Sequence, residues 1–286
     1  MNLAVIIPVY NRHEITLEAL KHLALTSKTN PRVVVLDNGS DELFSDYLQK
    51  INLPFTGIRL EIIRTAENKG VWPTFKQGFD ATTEDILAYL HNDLWVYHEG
   101  WDKVLLDAFE KDPLLGLVGF VGSNQWDWDG GRGLGTMSNF QGRPGAGSPA
   151  EVHGARILGD EVYPALVVDG CAMVMRRAAM EMITFFDFPP HHFYDRLYSF
   201  HMLNLNWHTA VAPIACDHVS GQTANTQQGW HNAAQQWAEA NGLGLDETWD
   251  NTVYKAAERR FFEVFHAYMG QTRKLIVDQG YQVTRY

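Results

Sequence analysis

The stretch Ile86-Leu-Ala-Tyr-Leu-His-Asn-Asp-Leu-Trp-Val96 decides how the rest of the chain reads. An apolar run is broken by His91, Asn92 and Asp93 and resumes with Leu94, Trp95 and Val96. An uninterrupted apolar run without Gly or Pro is the pattern of a strand buried on both faces. Its polar end delivers a carboxylate to the C-terminal edge of the strand. In open α/β sheets ligands bind at that edge, because strand ends and helix N-termini converge there. The same three residues also fit a plain Asx turn, in which Asn92 and Asp93 bond their own backbone.

The neighbouring segments decide in favour of a sheet. Strands are predicted at Leu3 to Val9, Val33 to Leu36 and Ile58 to Arg64, alternating with helices from Glu14 to Leu25, Leu43 to Ile51 and about Val71 to Phe79. Such alternation implies right-handed βαβ units and an α/β fold with a mostly parallel central sheet flanked by helices. Downstream come a helix from Trp101 to Phe109, a strand from Leu115 to Val121 and short strands on either side of Asp169-Gly-Cys171. A late strand follows from His208 to Ala215, and the pattern turns amphipathic and helical from Trp230 to Ala240 and from Trp249 to Gln279. The expected organisation is a catalytic domain over 1–221, divided into halves at 1–123 and 150–221 by a flexible Gly-rich loop at 124–149, and a helical extension over 222–286.

Gly131-Arg-Gly-Leu-Gly135 within that loop is no dinucleotide fingerprint, because it lacks the preceding strand and following helix that such a motif needs. Trp126 and Trp128 either stack on a sugar or other flat acceptor, or pin the loop to the sheet. His191 and His192 follow Pro189 and Pro190 and read as a solvent-exposed loop.

With 23 basic against 34 acidic residues the net charge is −11, which argues against a dominant nucleic-acid or anionic-membrane surface. Cys171 and Cys216 sit in apolar runs and read as buried thiols of a reducing compartment. The N-terminal apolar stretch lacks a basic flank and is too short for a signal peptide, and no stretch has the length of a transmembrane helix. A soluble, cytoplasmic protein is expected. The C-terminal aromatics would pack on the sheet or form a homodimer contact.

Asp37, Asp93, Asp169 and Asp195 all fall at predicted strand ends, and His218 follows the last strand. One rim of a parallel sheet gathers such positions. An Asp and a His facing a diphosphate suit Mn²⁺ or Mg²⁺, with the imidazole favouring Mn²⁺. Singly, each acid reads as a helix cap or turn former, and only together do they point to a site.

Val5-Ile-Ile-Pro-Val-Tyr-Asn11, Leu36-Asp-Asn-Gly-Ser-Asp41, Asn68-Lys-Gly70 and Leu90-His-Asn-Asp93 resemble, in order and spacing, the motifs of family-2 glycosyltransferases. Gly170-Cys-Ala-Met-Val-Met-Arg-Arg177, Phe186-Asp187, Phe193-Tyr-Asp195 and His218-Val-Ser-Gly221 resemble that family's acceptor half. The resemblance implies the GT-A fold, a nucleotide-diphospho-sugar transferase sandwich. It implies a nucleoside pocket lined by Pro8, Tyr10 and Asn11, with Asp37 accepting from the base, and a donor pocket shaped by Asn68 and Lys69. It also implies that Asp93 ends a D-x-D-like motif as a metal ligand, that His91 and Asn92 just ahead of it belong to the donor nucleotide site, and that His218 completes the metal site. Asp195 would be the general base of an inverting transfer, and Asp169 and Gly170 would lie on the acceptor side. The sequence departs from the family at His91, where an acid is usual, so its ribose and metal contacts stay open.

The implied donor is a nucleotide-diphosphate sugar, most commonly a UDP-sugar. The acceptor is unread: a glycan, a lipid-linked molecule, a protein or a modified nucleobase. A sugar-1-phosphate nucleotidyltransferase would need a Gly-rich, Arg-containing loop after the first strand, which Tyr10-Asn-Arg-His13 does not supply. A degenerate nucleotide- or carbohydrate-binding module is the non-enzymatic alternative.

Overall fold

Alternate residues of β1 (Leu3–Val9) enter two different cores, which makes the architecture a three-layer sandwich. The computed structural model describes residues 1–51, 55–126, 135–143, 154–183, 188–219, 228–243 and 253–263. After β1 come α1 (His13–Thr26), β2 (Arg32–Asn38), α2 (Phe44–Ile51), β3 (Arg59–Thr65), α3 (Val71–Ala81) and β4 (Ile86–Leu90). Then follow β5 (Leu94–Val96), α4 (Trp101–Lys111), β6 (Leu115–Gly119), β7 (Val121–Ser123), β8 (Thr136–Ser138), β9 (Ala155–Arg156), β10 (Tyr163–Pro164) and β11 (Val167–Val168). The last elements are β12 (Ala172–Arg176), α5 (Arg177–Met180), α6 (Tyr194–Asn204), β13 (His208–Val211), β14 (Cys216–His218) and α7 (Gln228–Ala240). Residues 253–263 are also helical.

Leu3, Val5, Ile7 and Val9 pack with Leu20 and Leu23 of α1 and Leu105 and Phe109 of α4. Ala4 and Ile6 pack with Trp72 and Phe75 of α3 and Leu197 and Tyr198 of α6. A strand covered on both faces has no need of polar residues, which explains its unbroken apolar sequence.

The central sheet has the order β10-β13-β6-β12-β4-β1-β2-β3. β4, β1, β2 and β3 are mutually parallel, so their C-terminal ends share one edge. Beyond β4 the sheet becomes mixed, because β12 runs antiparallel between β4 and β6. That insertion matters for the site. Ala172 pairs with Leu90, and the His91 amide donates to the Cys171 carbonyl at 2.9 Å, which sets Asp169-Gly-Cys171 beside His91-Asn-Asp93.

The central strand, expected to end at Asp93, ends at Leu90, and the apolar residues after the break form a strand of their own. At His91–Asp93 the chain turns out of the large sheet, and β5 pairs instead with β14 in a separate two-stranded sheet. The 115–121 segment likewise divides at Phe120, and β7 joins a four-stranded sheet of order β11-β7-β8-β9. β8 and β9 lie where the sequence suggested loop or gave no strand signal, since each is a short strand held by its neighbours and too brief to show periodicity. Trp126 is buried against Phe200 of α6, 6.2 Å between ring centres, the pinning alternative. Trp128 lies outside the described residues.

The segment ahead of α6 is not solvent-exposed. His191 is buried, and the Pro190 carbonyl accepts from the amides of Val71 and Trp72 at 2.8 and 3.0 Å, closing the N-terminus of α3. Phe261 and Tyr254, from the 253–263 helix, pack on Phe193, so this part of the C-terminal extension supports the start of α6. Cys171 and Cys216 are buried and not joined in a disulfide.

Candidate active site

Two strand registers assemble the centre of the site. His218 pairs with Leu94 across β14 and β5, and the Val219 amide donates to the Asp93 carbonyl at 2.9 Å, which sets His218 against Asp93. Nε2 of His218 lies 3.1 Å from Oδ1 of Asp93 and 3.2 Å from Nδ1 of His91, and His91 Nδ1 lies 3.9 Å from the same Asp93 oxygen. One ligand atom from each of the three residues falls within 4.8 Å of the others. Neighbouring ligands about 2.1 Å from one small divalent cation stand about 3 Å apart, so this donor set fits a single ion.

The electrostatics suit that arrangement. Burial raises the Asp93 carboxyl, but the His218 hydrogen bond and the adjoining imidazoles outweigh it, so the group lies below its ordinary value and is ionised. The His91 side chain keeps 33% of its surface open, yet desolvation by the surrounding protein, and then His218, lowers its pKa. A neutral imidazole and a carboxylate are the forms that ligate cations.

The first residue of α6, Tyr194, closes the cluster from the other side. Its hydroxyl lies 2.9 Å from Nε2 of His91. Burial, then the carboxylates of Asp195 and Asp169, hold the phenol well above its ordinary value, so it is a neutral hydroxyl. Gly170 makes the approach possible: a Cβ there would lie 2.4 Å from the Tyr194 oxygen. The next residue, Asp195, is half-buried and accepts from the amides of Arg196 at 2.8 Å and Gly170 at 3.3 Å. Asp169 accepts from the Cys171 amide at 2.9 Å. Asp93, Asp169, Asp195, Gly170 and His218 are thus gathered around one tyrosine and one histidine.

The residues expected around the nucleotide are distributed along the shared edge of β1, β2 and β3. Pro8 and Tyr10 are half-buried at the end of β1, and Lys69 is exposed. Asn11 bridges two loops, donating through Nδ2 to Asp41 at 3.1 Å and accepting from its amide at 2.9 Å. The Asn68 side-chain oxygen accepts from Asn38 Nδ2 and from the Gly70 amide, both at 2.9 Å. Asn92 is buried and donates to Thr16 of α1 at 3.0 Å. Asp37 is 1% exposed, and both its oxygens are engaged, with the amides of Ser40 and Phe44 and with the Arg64 guanidinium at 2.9 Å.

Two contributors, Tyr194 and Asp217, were not read as site residues from the sequence, and His91 was expected on the donor side with its metal contact left open. His91, standing where an acid is usual, joins Asp93 and His218 in the cation cluster, as its spacing of two residues from Asp93 could have signalled. Tyr194 stood out only as the neighbour of Asp195, and nothing local to it signals the histidine that its hydroxyl meets. Asp217 is buried and accepts from three successive amides, Gln141 and Gly142 at 2.9 and 2.7 Å and Arg143 at 2.9 Å, anchoring that segment next to His218.

The fold is that of nucleotide-sugar transferases. A mannosyltransferase from Pyrobaculum calidifontis, solved with GDP-Man and Mn²⁺, superposes with a TM-score of 0.56 at 14% identity, over 97% of this chain and 79% of that one. S. aureus TarS 1-349, solved with UDP-GlcNAc, does so with a TM-score of 0.53 at 15% identity, over 92% and 73%. GalNAc-T7, solved with UDP, GalNAc and Mn²⁺, gives 0.57 at 12%, over 99% of this chain and 55% of that one. No curated protein sequence matches the chain. Residues 4–183 match glycosyl transferase family 2, and the chain belongs to that family of glycosyltransferases. Among the described residues no helix is long and apolar enough to cross a membrane.

Proposed function

We propose that the chain is an inverting glycosyltransferase that moves a sugar from a nucleoside-diphosphate sugar to an acceptor hydroxyl, with Asp195 as general base and a divalent cation at His91, Asp93 and His218. The observation that carries this reading is the convergence of those three side chains directly beside the Tyr194-Asp195 pair. A sugar hydroxyl is a weak nucleophile, so a carboxylate within hydrogen-bond reach is required to take its proton. Asp195 takes that proton as the acceptor oxygen bonds to the anomeric carbon. The bond from that carbon to the diphosphate oxygen breaks on the opposite face, and the configuration inverts. A bound cation supplies positive charge to the departing diphosphate.

Two imidazoles and one carboxylate favour Mn²⁺ over Mg²⁺, which prefers a wholly oxygen-based, well-hydrated shell. The donors named with the structural relatives are GDP- and UDP-linked, and a UDP-sugar is the first to test for this chain.

The test is a thermal-shift panel of nucleoside diphosphates with and without Mn²⁺, followed by donor turnover for any nucleotide that binds. A ligand of the native state raises the melting temperature by mass action. A metal-dependent shift for one nucleotide, lost in Asp93→Ala, supports the reading. No shift with any nucleotide overturns it. Binding without release of nucleoside diphosphate from any donor sugar points to a binding module.

A further inference from the structure

We propose that Tyr194 is a positioning residue for His91, its hydroxyl holding the imidazole so that an unprotonated Nδ1 faces Asp93 and His218. The inference rests on reading those three side chains as a cation site. A neutral imidazole carries one N–H, and cation binding through Nδ1 places that proton on Nε2, whose partner must then accept it. The Tyr194 oxygen, 2.9 Å from Nε2, is that partner, while Nδ1 points at His218 Nε2, 3.2 Å away.

The tyrosine is itself rigidly placed. It is 6% exposed, its ring lies 5.3 Å from that of Phe75, and the residue before it, Phe193, adopts φ 61° and sets the start of α6. Gly170 leaves room for the hydroxyl, as a Cβ at that position would sit 2.4 Å from it. Tyr194 and Asp195 are consecutive on one helix. The element that carries the proposed base therefore also orients a ligand of the proposed cation, so the donor and acceptor sides of the reaction are set by a single rigid piece. A loosely held ligand costs affinity even when its own atoms are intact.

Long-range nitrogen–proton correlation spectra of the metal-free, isotope-labelled protein report the His91 tautomer, and Mn²⁺ titration followed by water-proton relaxation reports affinity. The wild-type chain is expected to show the Nε2–H tautomer. Tyr194→Phe, which keeps the ring and removes only the hydroxyl, is expected to mix the tautomers and weaken Mn²⁺ binding about tenfold or more. Gly170→Ala displaces the hydroxyl while retaining it, and is expected to shift both readouts the same way; it carries the test should Tyr194→Phe fail to fold. An Nδ1–H tautomer in the wild type, or an unchanged tautomer and affinity within twofold in both variants, overturns the proposal. Should the wild type show no Asp93-dependent Mn²⁺ binding, the cation reading itself fails, and the proposal falls with it for that separate, recognisable reason.

Discussion

Nδ1 of His91 and Nε2 of His218 stand 3.2 Å apart, although 127 positions separate them in the chain. Two nitrogens at that distance must share one proton or one cation, because two protonated imidazoles facing each other would repel. Asp93 supplies the negative charge on the same side, 3.1 Å from His218. The contact exists only because β4 and β14 both end at this point, one in the large sheet and the other paired with β5.

Removal of a ligand should separate metal binding from folding. Asp93→Asn and His218→Ala are each expected to weaken Mn²⁺-dependent nucleotide binding at least about tenfold, with the native circular dichroism spectrum retained. Calorimetric titration with a nucleoside diphosphate, with and without Mn²⁺, checks this. Binding that is equally strong in the variants would place the cation elsewhere.

Asp195→Asn should act on turnover and leave donor binding alone. The amide keeps the size of the carboxylate but cannot take a proton, so a loss of about 10²–10⁴-fold in kcat is expected. The nucleotide-induced melting shift should stay within error of the wild type. A weakened donor affinity together with near-normal kcat would reassign the residue to binding.

Asp37 tests whether a residue of the nucleotide edge is held for stability. Its oxygens satisfy two amides and one guanidinium in a buried turn. Asp37→Ala is therefore expected to cost about 2–4 kcal/mol in urea unfolding, since buried donors lose their partner. If the variant is as stable as wild type and shows only a raised donor KM, the carboxylate serves the base and the turn stands without it.

Stability should fall on mild acidification because of His201. Burial lowers its pKa in the folded chain to about 4, against an ordinary value of 6.5. In the unfolded chain the imidazole takes up its proton as pH drops below about 6.5, while the folded chain resists until about 4. The unfolded state thus binds more protons across that window, and folding stability declines from pH 6.5 towards pH 4, by at most about 3–4 kcal/mol at roughly 1.4 kcal/mol per unit. Denaturant melts of wild type and His201→Gln across that range test it; the variant should show a shallower slope, and parallel slopes would assign the acid sensitivity to other groups.

The Asp217 clamp predicts a local effect. Amide exchange at Gln141, Gly142 and Arg143 is expected to accelerate markedly in Asp217→Ala, with the strands of the central sheet unchanged. Uniform acceleration through the sheet would mean that the residue supports global stability.

Much of this chain was legible before folding was considered. Unbroken apolar runs at Leu3–Val9 and Ile86–Leu90 belong to strands covered on both faces, and they end in polar residues because the sheet ends there. The alternation of those runs with helical spacing determined the α/β class, and the ordered motifs determined the family. Asp37, Asp93 and Asp169 were visible because a carboxylate following an apolar run marks where the run ends, whereas Asp195, expected at a strand end, stands instead in the first turn of α6. What the sequence could not decide was direction and partnership. A buried strand reads the same whether its neighbour is parallel or antiparallel, so the insertion of β12 beside β4, which brings Gly170 to Tyr194, had no local signature. The turn of His91 away from the strand axis, the approach of Tyr194 and the grip of Asp217 on residues 141–143 each depend on atoms distant in sequence. Such contacts are properties of packing, and only the tertiary structure determines them.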